Sequence, residues 1–160
     1  MSEFTIQKAD SEADINAARG LFQDYATWLE MDHGISLEFQ GIEAELAGLP
    51  GKYAPPSGQI YLAVRGGEAL GCAAFRPFEG EVCEIKRLYV SRNARGHALG
   101  QKLVEAVLAG ARDAGYVRAV LDTADFMGQA QSVYESFGFT DIPKYYENPV
   151  AGVRYMGGDL

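Results

Sequence analysis

The run Leu88-Tyr89-Val90-Ser91-Arg92-Asn93-Ala94-Arg95-Gly96-His97-Ala98-Leu99-Gly100 joins a strand pattern to the start of a helix through a short turn. Its small residues at 96, 98 and 100 would let an anion approach the backbone. The first N–H groups of a helix lack intrahelical partners and carry the positive end of its dipole, so this geometry suits a pyrophosphate. Residues 85 to 104 hold Lys86, Arg87, Arg92, Arg95 and Lys102 and no acid, so a cationic island coincides with the turn, although a solvated basic surface would read the same way. No Gly-Lys-Ser/Thr follows, which sets the turn apart from a P-loop, and the glycine spacing is not that of a dinucleotide fingerprint. Cys72 and Cys83 lie eleven positions apart, match no ligand spacing and read as reduced packing residues. With only His33 and His97 beside them, no metal site is expected.

These residues need elements to hold them. Phe4 to Ala9 alternates like a half-buried strand, and Asp10-Ser11-Glu12 can cap a helix across Ile15 to Leu29. A second amphipathic segment, Ile42 to Leu49, ends at Pro50-Gly51. Strand patterns follow at Ile60–Val64, Ala69–Phe75 and Val82–Val90, separated by turns at Gly66-Gly67 and Glu79-Gly80. Leu99 to Ala114 places apolar residues at 99, 103, 104, 107, 108 and 111, one face of a helix closed by Gly115. Val117–Leu121 reads as a strand buried on both faces, Gln129–Phe137 as a helix, and Phe139–Ile142 and Val153–Met156 as closing strands. The order β-α-α-β-β-β-α-β-α-β-β predicts an α/β fold with a mixed sheet.

The 160 residues, 48% of them apolar and 22% charged, fit a single domain spanning 1–160 with its own core. No apolar run approaches the ~20 residues that cross a bilayer. Met1-Ser2-Glu3 opens a strand-like segment instead of a basic leader, so a cytoplasmic protein without membrane contact is expected. The net charge of -8 lies entirely in residues 1–50, where ten acids face Lys8 and Arg19. Nucleic acid and anionic membranes are excluded as partners because they demand a broad basic face.

At the turn, Asn93-Ala94-Arg95-Gly96-His97-Ala98 resembles the Gln/Arg-x-x-Gly-x-Gly/Ala signature of the GCN5-related N-acetyltransferase superfamily, with Asn93 where Gln or Arg is usual. Glu84-Ile85-Lys86-Arg87-Leu88-Tyr89-Val90 and Ala130-Gln131-Ser132-Val133-Tyr134-Glu135-Ser136-Phe137-Gly138-Phe139 are similar to the family's other hallmarks. Met127 stands where many members have Asn, and Tyr145-Tyr146-Glu147-Asn148-Pro149 resembles a group of bacterial members. The resemblance implies an acetyl-CoA-dependent N-acetyltransferase. Amides of Arg95, Gly96, His97, Ala98, Leu99 and Gly100 would hold the pyrophosphate, and Leu88 and Val90 would present backbone groups to the pantetheine arm, in a cleft where the strand ending at Val90 splays from its parallel neighbour.

Direct transfer to a primary amine follows from that layout. Glu84 would take the amine's proton through water, or else pair with Lys86, Arg87 or Arg118 on a polar sheet face. Tyr134 would protonate the departing thiolate, or else be a core aromatic. The acid-rich N-terminal fifty residues favour a small cationic amine or a basic peptide as acceptor, with Asp24, Glu30, Asp32 or Glu38 as anchors, though solvated helix faces explain the same acids. Tyr145, Tyr146 and Arg154 would instead grip an aromatic or carboxylated acceptor. A non-catalytic module that senses acetyl-CoA and an enzyme acting on protein lysines or N-termini are the alternatives, and a homodimer is left open.

Overall fold

The computed structural model describes residues 3–160, so Met1 and Ser2 of the expected opening segment lie outside the described residues. In chain order the elements are β1 (Thr5–Lys8), α1 (Glu12–His33), α2 (Ile42–Ala47), β2 (Gln59–Arg65), β3 (Glu68–Glu79), β4 (Val82–Val90), α3 (Leu99–Asp113), β5 (Arg118–Thr123), α4 (Gly128–Ser136), β6 (Thr140–Asp141) and β7 (Arg154–Asp159). Single 3₁₀ turns occupy Leu37–Gln40, Gly51–Tyr53 and Arg92–Ala94. The expected order holds, and the differences lie at the ends of elements. Helix α1 starts earlier than the apolar periodicity indicates because Ser11 caps it by accepting from the Asp14 N–H, and it runs on until Gly34 turns left-handed at φ 65°.

The seven strands form one sheet in the order β1-β2-β3-β4-β5-β7-β6. Every neighbouring pair is antiparallel except β4 and β5. That parallel pair is short: Val82, Cys83 and Glu84 face Arg118, Ala119 and Val120, and no ladder partner from β5 follows beyond Glu84. One sheet face packs on α3 through Leu103, Val104, Val107 and Leu108. The other carries Ile60, Leu62, Cys72 and Ala74 against Ala18, Leu21 and Phe22 of α1. No helix among the described residues is long and apolar enough to cross a membrane.

Strand β4 is irregular toward its C-terminal end. Cys72 pairs with Tyr89 and Ala74 with Lys86, so Arg87 and Leu88 together stand opposite Ala73. This is a β-bulge, and Arg87 occupies it at φ 64°. Successive side chains on a regular strand point to opposite faces. Here Lys86 and Arg87 reach the same atom, Gln40 Oε1, at 2.9 and 2.8 Å.

Helix α3 approaches the sheet most closely at Gly110, where an added Cβ would overlap the Tyr61 hydroxyl and sit 3.3 Å from Phe75 Cε1. Both rings are buried and cannot swing aside into solvent. Gly110→Ala is therefore expected to destabilise the protein by about 1–3 kcal/mol, read as a lower urea midpoint, despite alanine's better helix propensity. A midpoint equal to or above the parent's would show that α3 can lift off the sheet at little cost.

Candidate active site

Where β4 and β5 part, a groove of about 450 Å³ opens along the free edge of β4. It runs from Leu88, Tyr89 and Val90 to the turn at Ala94–Gly96 and the first residues of α3. Trp28 and Phe126 wall its sides. At the turn, Gly96 has φ 91° and Ala98, the residue preceding α3, has φ 55° with no side-chain cap. No acid lies in the first turn of α3, so its leading N–H groups meet neither a capping side chain nor a carboxylate. Successive amides arranged this way form a concave anion site. A Cβ at Gly100 would meet nothing within 4 Å, so the approach to these amides is open.

A second, smaller cavity of about 80 Å³ lies deeper and shares Tyr25, Leu88, Met127 and Ala130 with the groove. Its polar wall consists of Gln40, Lys86, Arg87, Asp122, Thr123 and Asn148, and Tyr134 also faces it. Behind that wall a hydrogen-bond network fixes the charges. Arg87 binds Glu45 with two parallel bonds of 2.8 and 3.0 Å, a geometry suited to carboxylate recognition. Arg76 donates to Glu84 Oε1 at 3.1 Å, and the Tyr145 hydroxyl donates to Glu84 Oε2 at 2.7 Å. Asp122 accepts from the Tyr146 hydroxyl and, at 2.7 Å, from Asn148 Nδ2. Gln40 ties the two halves together, accepting from Lys86 and Arg87 and donating to Tyr146 at 3.2 Å.

The sequence-derived candidates separate cleanly on this geometry. Leu88, Val90, Arg95, Gly96, Ala98, Leu99 and Gly100 line the groove. The His97 ring turns away and lies 5.3 Å from Phe4, leaving only its backbone near the turn. Tyr134 faces the cavity, and burial pushes its hydroxyl well above the usual tyrosine range, so it stays protonated. Glu84 is 4% exposed, has both oxygens engaged and lines neither space. Its cationic partner is Arg76 on the neighbouring strand, not Lys86, Arg87 or Arg118.

The acidic helix faces do not supply the expected acceptor anchors. Glu30 is exposed on α1 and lines none of these spaces, Asp32 pairs with Arg92 at 3.6 Å, and Asp24 borders an outer hollow with Tyr89, Arg92 and Arg95. Glu38 is exposed in the turn whose Leu37, Phe39 and Gln40 line the cavity, and Glu45 is consumed by Arg87. Arg154 is tied to Asp141 and Glu135 on the far side of the sheet's end, while Tyr145 and Tyr146 stand behind the cavity wall as partners of Glu84 and Asp122. The cationic island splits as well: Lys86 and Arg87 are buried, whereas Arg92, Arg95 and Lys102 are exposed. Burial pushes the Cys83 thiol up to about 12 and raises Cys72 further, so neither is a nucleophile at neutral pH.

Sequence reasoning missed Tyr25, Gln40, Glu45 and Asp122. Tyr25 was legible in principle, four residues from both Leu21 and Leu29 on the buried stripe of α1. Asp122 interrupts an apolar strand just past Leu121, which is a usable signal. Gln40 and Glu45 gain their roles only by long-range contact with Arg87 and leave no local trace.

Comparison with known proteins gives a consistent frame. The sequence model described as the acetyltransferase (GNAT) family matches residues 18–139. An uncharacterised N-acetyltransferase of Schizosaccharomyces pombe is 40% identical, over 97% of this chain and 94% of that protein. Another from Dictyostelium discoideum is 26% identical over 90% of this chain and 93% of its own length. Among solved structures, an acetyltransferase from Streptococcus agalactiae superposes with a TM-score of 0.79 over 98% of each chain at 20% identity, a likeness of fold.

Lys86 is a strongly perturbed charge on the cavity wall. Desolvation, with the Arg87 charge adding to it, lowers its ammonium from 10.5 to about 8. The folded value lies below the unfolded one, so between those two pH values the unfolded chain binds more protons and stability rises with pH; below about 8 that gain is absent. Urea titrations of the parent and Lys86→Met from about pH 7.5 to about pH 10 should show the parent gaining up to about 3 kcal/mol relative to the variant. A flat difference would mean that Lys86 is solvated in the folded protein.

Proposed function

The chain belongs to the acetyltransferase (GNAT) family, and from that premise we propose that it transfers an acetyl group from acetyl-CoA directly to a primary amine held in the small cavity. The observation that carries this reading is the junction of two unlike spaces: a groove ending at helix amides without a side-chain cap and a smaller cavity with a polar wall, meeting at Tyr25, Leu88, Met127 and Ala130. The residues present fit the co-substrate. Amides from Arg95 to Gly100 face the pyrophosphate position, the open space at Gly100 admits it, and the unpaired edge of β4 offers hydrogen bonds to an extended amide-bearing arm.

When bound, acetyl-CoA supplies an activated thioester whose acetyl end reaches the junction. The backbone beside the Arg87 bulge supplies a fixed N–H for the thioester carbonyl, worth more in a dry site than in water. Tyr134, one helical turn beyond Ala130 on α4, holds its proton until the thiolate leaves and then donates it. An incoming ammonium gives up its proton through cavity water toward Asp122, the carboxylate that faces the space. Glu84 acts as a positioning residue, holding Arg76 and Tyr145 in place. Burial explains the tyrosine's protonation, and the absence of a free thiolate supports transfer without an acyl-cysteine stage.

Two variants test the reading. Gly100→Asp puts a carboxylate into the first turn of α3, where it favours the helix but repels a pyrophosphate; the free protein should melt at the same or a higher temperature while coenzyme A binding by calorimetry weakens about ten-fold or more. Tyr134→Phe should lower the turnover number about ten-fold, measured by thiol release, with coenzyme A affinity retained. Normal binding to Gly100→Asp would move the co-substrate elsewhere. Coenzyme A binding without thiol release over a wide panel of amines and peptides would make the protein a sensor.

A further inference from the structure

Two charges on the cavity wall stand out by what they lack. Glu45 is paired with Arg87 and Glu84 with Arg76, but among the described residues neither Lys86 nor Asp122 makes an ion pair within 4 Å. Lys86 is 6% exposed and lines the cavity, and its one protein hydrogen bond goes to Gln40 Oε1, an oxygen it shares with Arg87. An ammonium has three donors, so two remain for whatever fills the space. Asp122 spends its hydrogen bonds on a hydroxyl and an amide, both neutral.

The register explains why these two groups face each other. Glu84 pairs with Val120 on β5, the last rung before the strands part. Two residues further along each strand stand Lys86 and Asp122, on the same sheet face by the two-residue alternation and across the widening gap. Lys86 is buried and Asp122 half-buried, and a charge withdrawn from water without a counter-ion carries a cost that falls when a partner of opposite sign arrives. An acceptor that brings one charge of each sign satisfies both. Of the other lining groups, Gln40, Arg87 and Asn148 are committed to the hydrogen-bond network, and Leu29, Ile35, Leu37, Val150 and Val153 supply apolar surface. Thr123 Oγ1, buried and without a hydrogen-bond partner among the described residues, adds a polar contact on the β5 side.

We infer that the acceptor is a free apolar amino acid, whose carboxylate pairs with Lys86 Nζ while its ammonium is drawn to Asp122 beside the thioester position. This inference rests on the acetyltransferase reading and adds the substrate class to it. It also reverses the selectivity expected from the acid-rich N-terminus, because those acids face solvent or are spent on Arg87. The reaction balances as N-acetylation: the ammonium loses one proton through cavity water toward Asp122, the neutral nitrogen forms the new bond to the acetyl carbon, and the nitrogen's second proton replaces the one Tyr134 gives to the departing sulfur. The carbon–sulfur bond breaks, and coenzyme A leaves as the thiol.

The test compares each amino acid with its decarboxylated amine: phenylalanine with phenethylamine, leucine with isoamylamine, and each with its methyl ester and an N-terminal dipeptide. Thiol release by the full chain should favour the free amino acid in kcat/KM by about ten-fold or more, the scale of one charge-assisted hydrogen bond. In Lys86→Met and Lys86→Gln, with folding confirmed by melting curves, that ratio should collapse toward one. Amines, esters or dipeptides turned over as well as amino acids, or a ratio unchanged in both variants, would overturn the inference while leaving the transferase standing. If no acceptor releases thiol, the transferase reading fails first. Calorimetry on the coenzyme A-saturated protein then decides: phenylalanine binding that needs Lys86 upholds the pocket's chemistry, and equal binding of phenylalanine and phenethylamine removes it.

Discussion

The site depends on one constraint: β4 and β5 pair for three residues and then separate. A parallel pair has no hairpin to hold it together, so its ends are free to diverge once the ladder stops. Separation leaves one edge of β4 without backbone partners inside a sheet, a position where an added strand-like ligand is better tolerated than at a solvent edge. It also sets Lys86 and Asp122 on either side of a widening gap, where both line the cavity. Groove and cavity are therefore two consequences of a single break in the sheet.

Holding that break open takes buried charge. Arg87 sits in the bulge with a left-handed backbone, a conformation that costs roughly 1–2 kcal/mol for a residue with a Cβ. The paired bonds to Glu45 and the bond to Gln40 hold the guanidinium on the same face as Lys86, with the Arg87 carbonyl accepting from the Cys72 thiol at 3.2 Å. Such an arrangement is not the cheapest core, since apolar residues of similar volume often pack as stably as a buried ion pair. What it provides is direction: the bulge places two successive cationic side chains on one face, one locked by Glu45 and one left facing the cavity.

Much of the frame was legible because it is written in local pattern. Every element of the expected order is present, and the small residues of the Arg95–Gly100 turn do line the groove. The β4 bulge was not legible, since nothing in Glu84–Val90 distinguishes two residues opposite one from a regular strand. Charge was the least legible property of all. Counting acids along the chain pointed to α1, yet helix faces there are solvated, and the charges that face the cavity come from β4 and β5, held by the neutral Gln40 and Asn148 through contacts more than 20 residues apart in sequence. Burial and pairing decide which charges act on a ligand, and neither can be counted from composition.

The place where groove and cavity meet brings two tyrosines to one wall, Tyr134 buried on α4 and Tyr25 half-buried on α1, and position is what separates their roles. Tyr25 is pushed up to about 12, with the nearby Arg87 charge working against the rise. Burial raises Tyr134 as well, which keeps it protonated at neutral pH but makes it no stronger an acid than Tyr25, so the donor role rests on where it stands. It lies on α4 four residues past Ala130, the helix residue that borders both spaces, and side chains so spaced share one face. Tyr25 stands on α1, T-shaped against Tyr89 at 5.8 Å, and borders both spaces. On the proposed reading Tyr134 meets the leaving sulfur from α4 while Tyr25 borders both spaces from α1, a division set by the helix from which each projects.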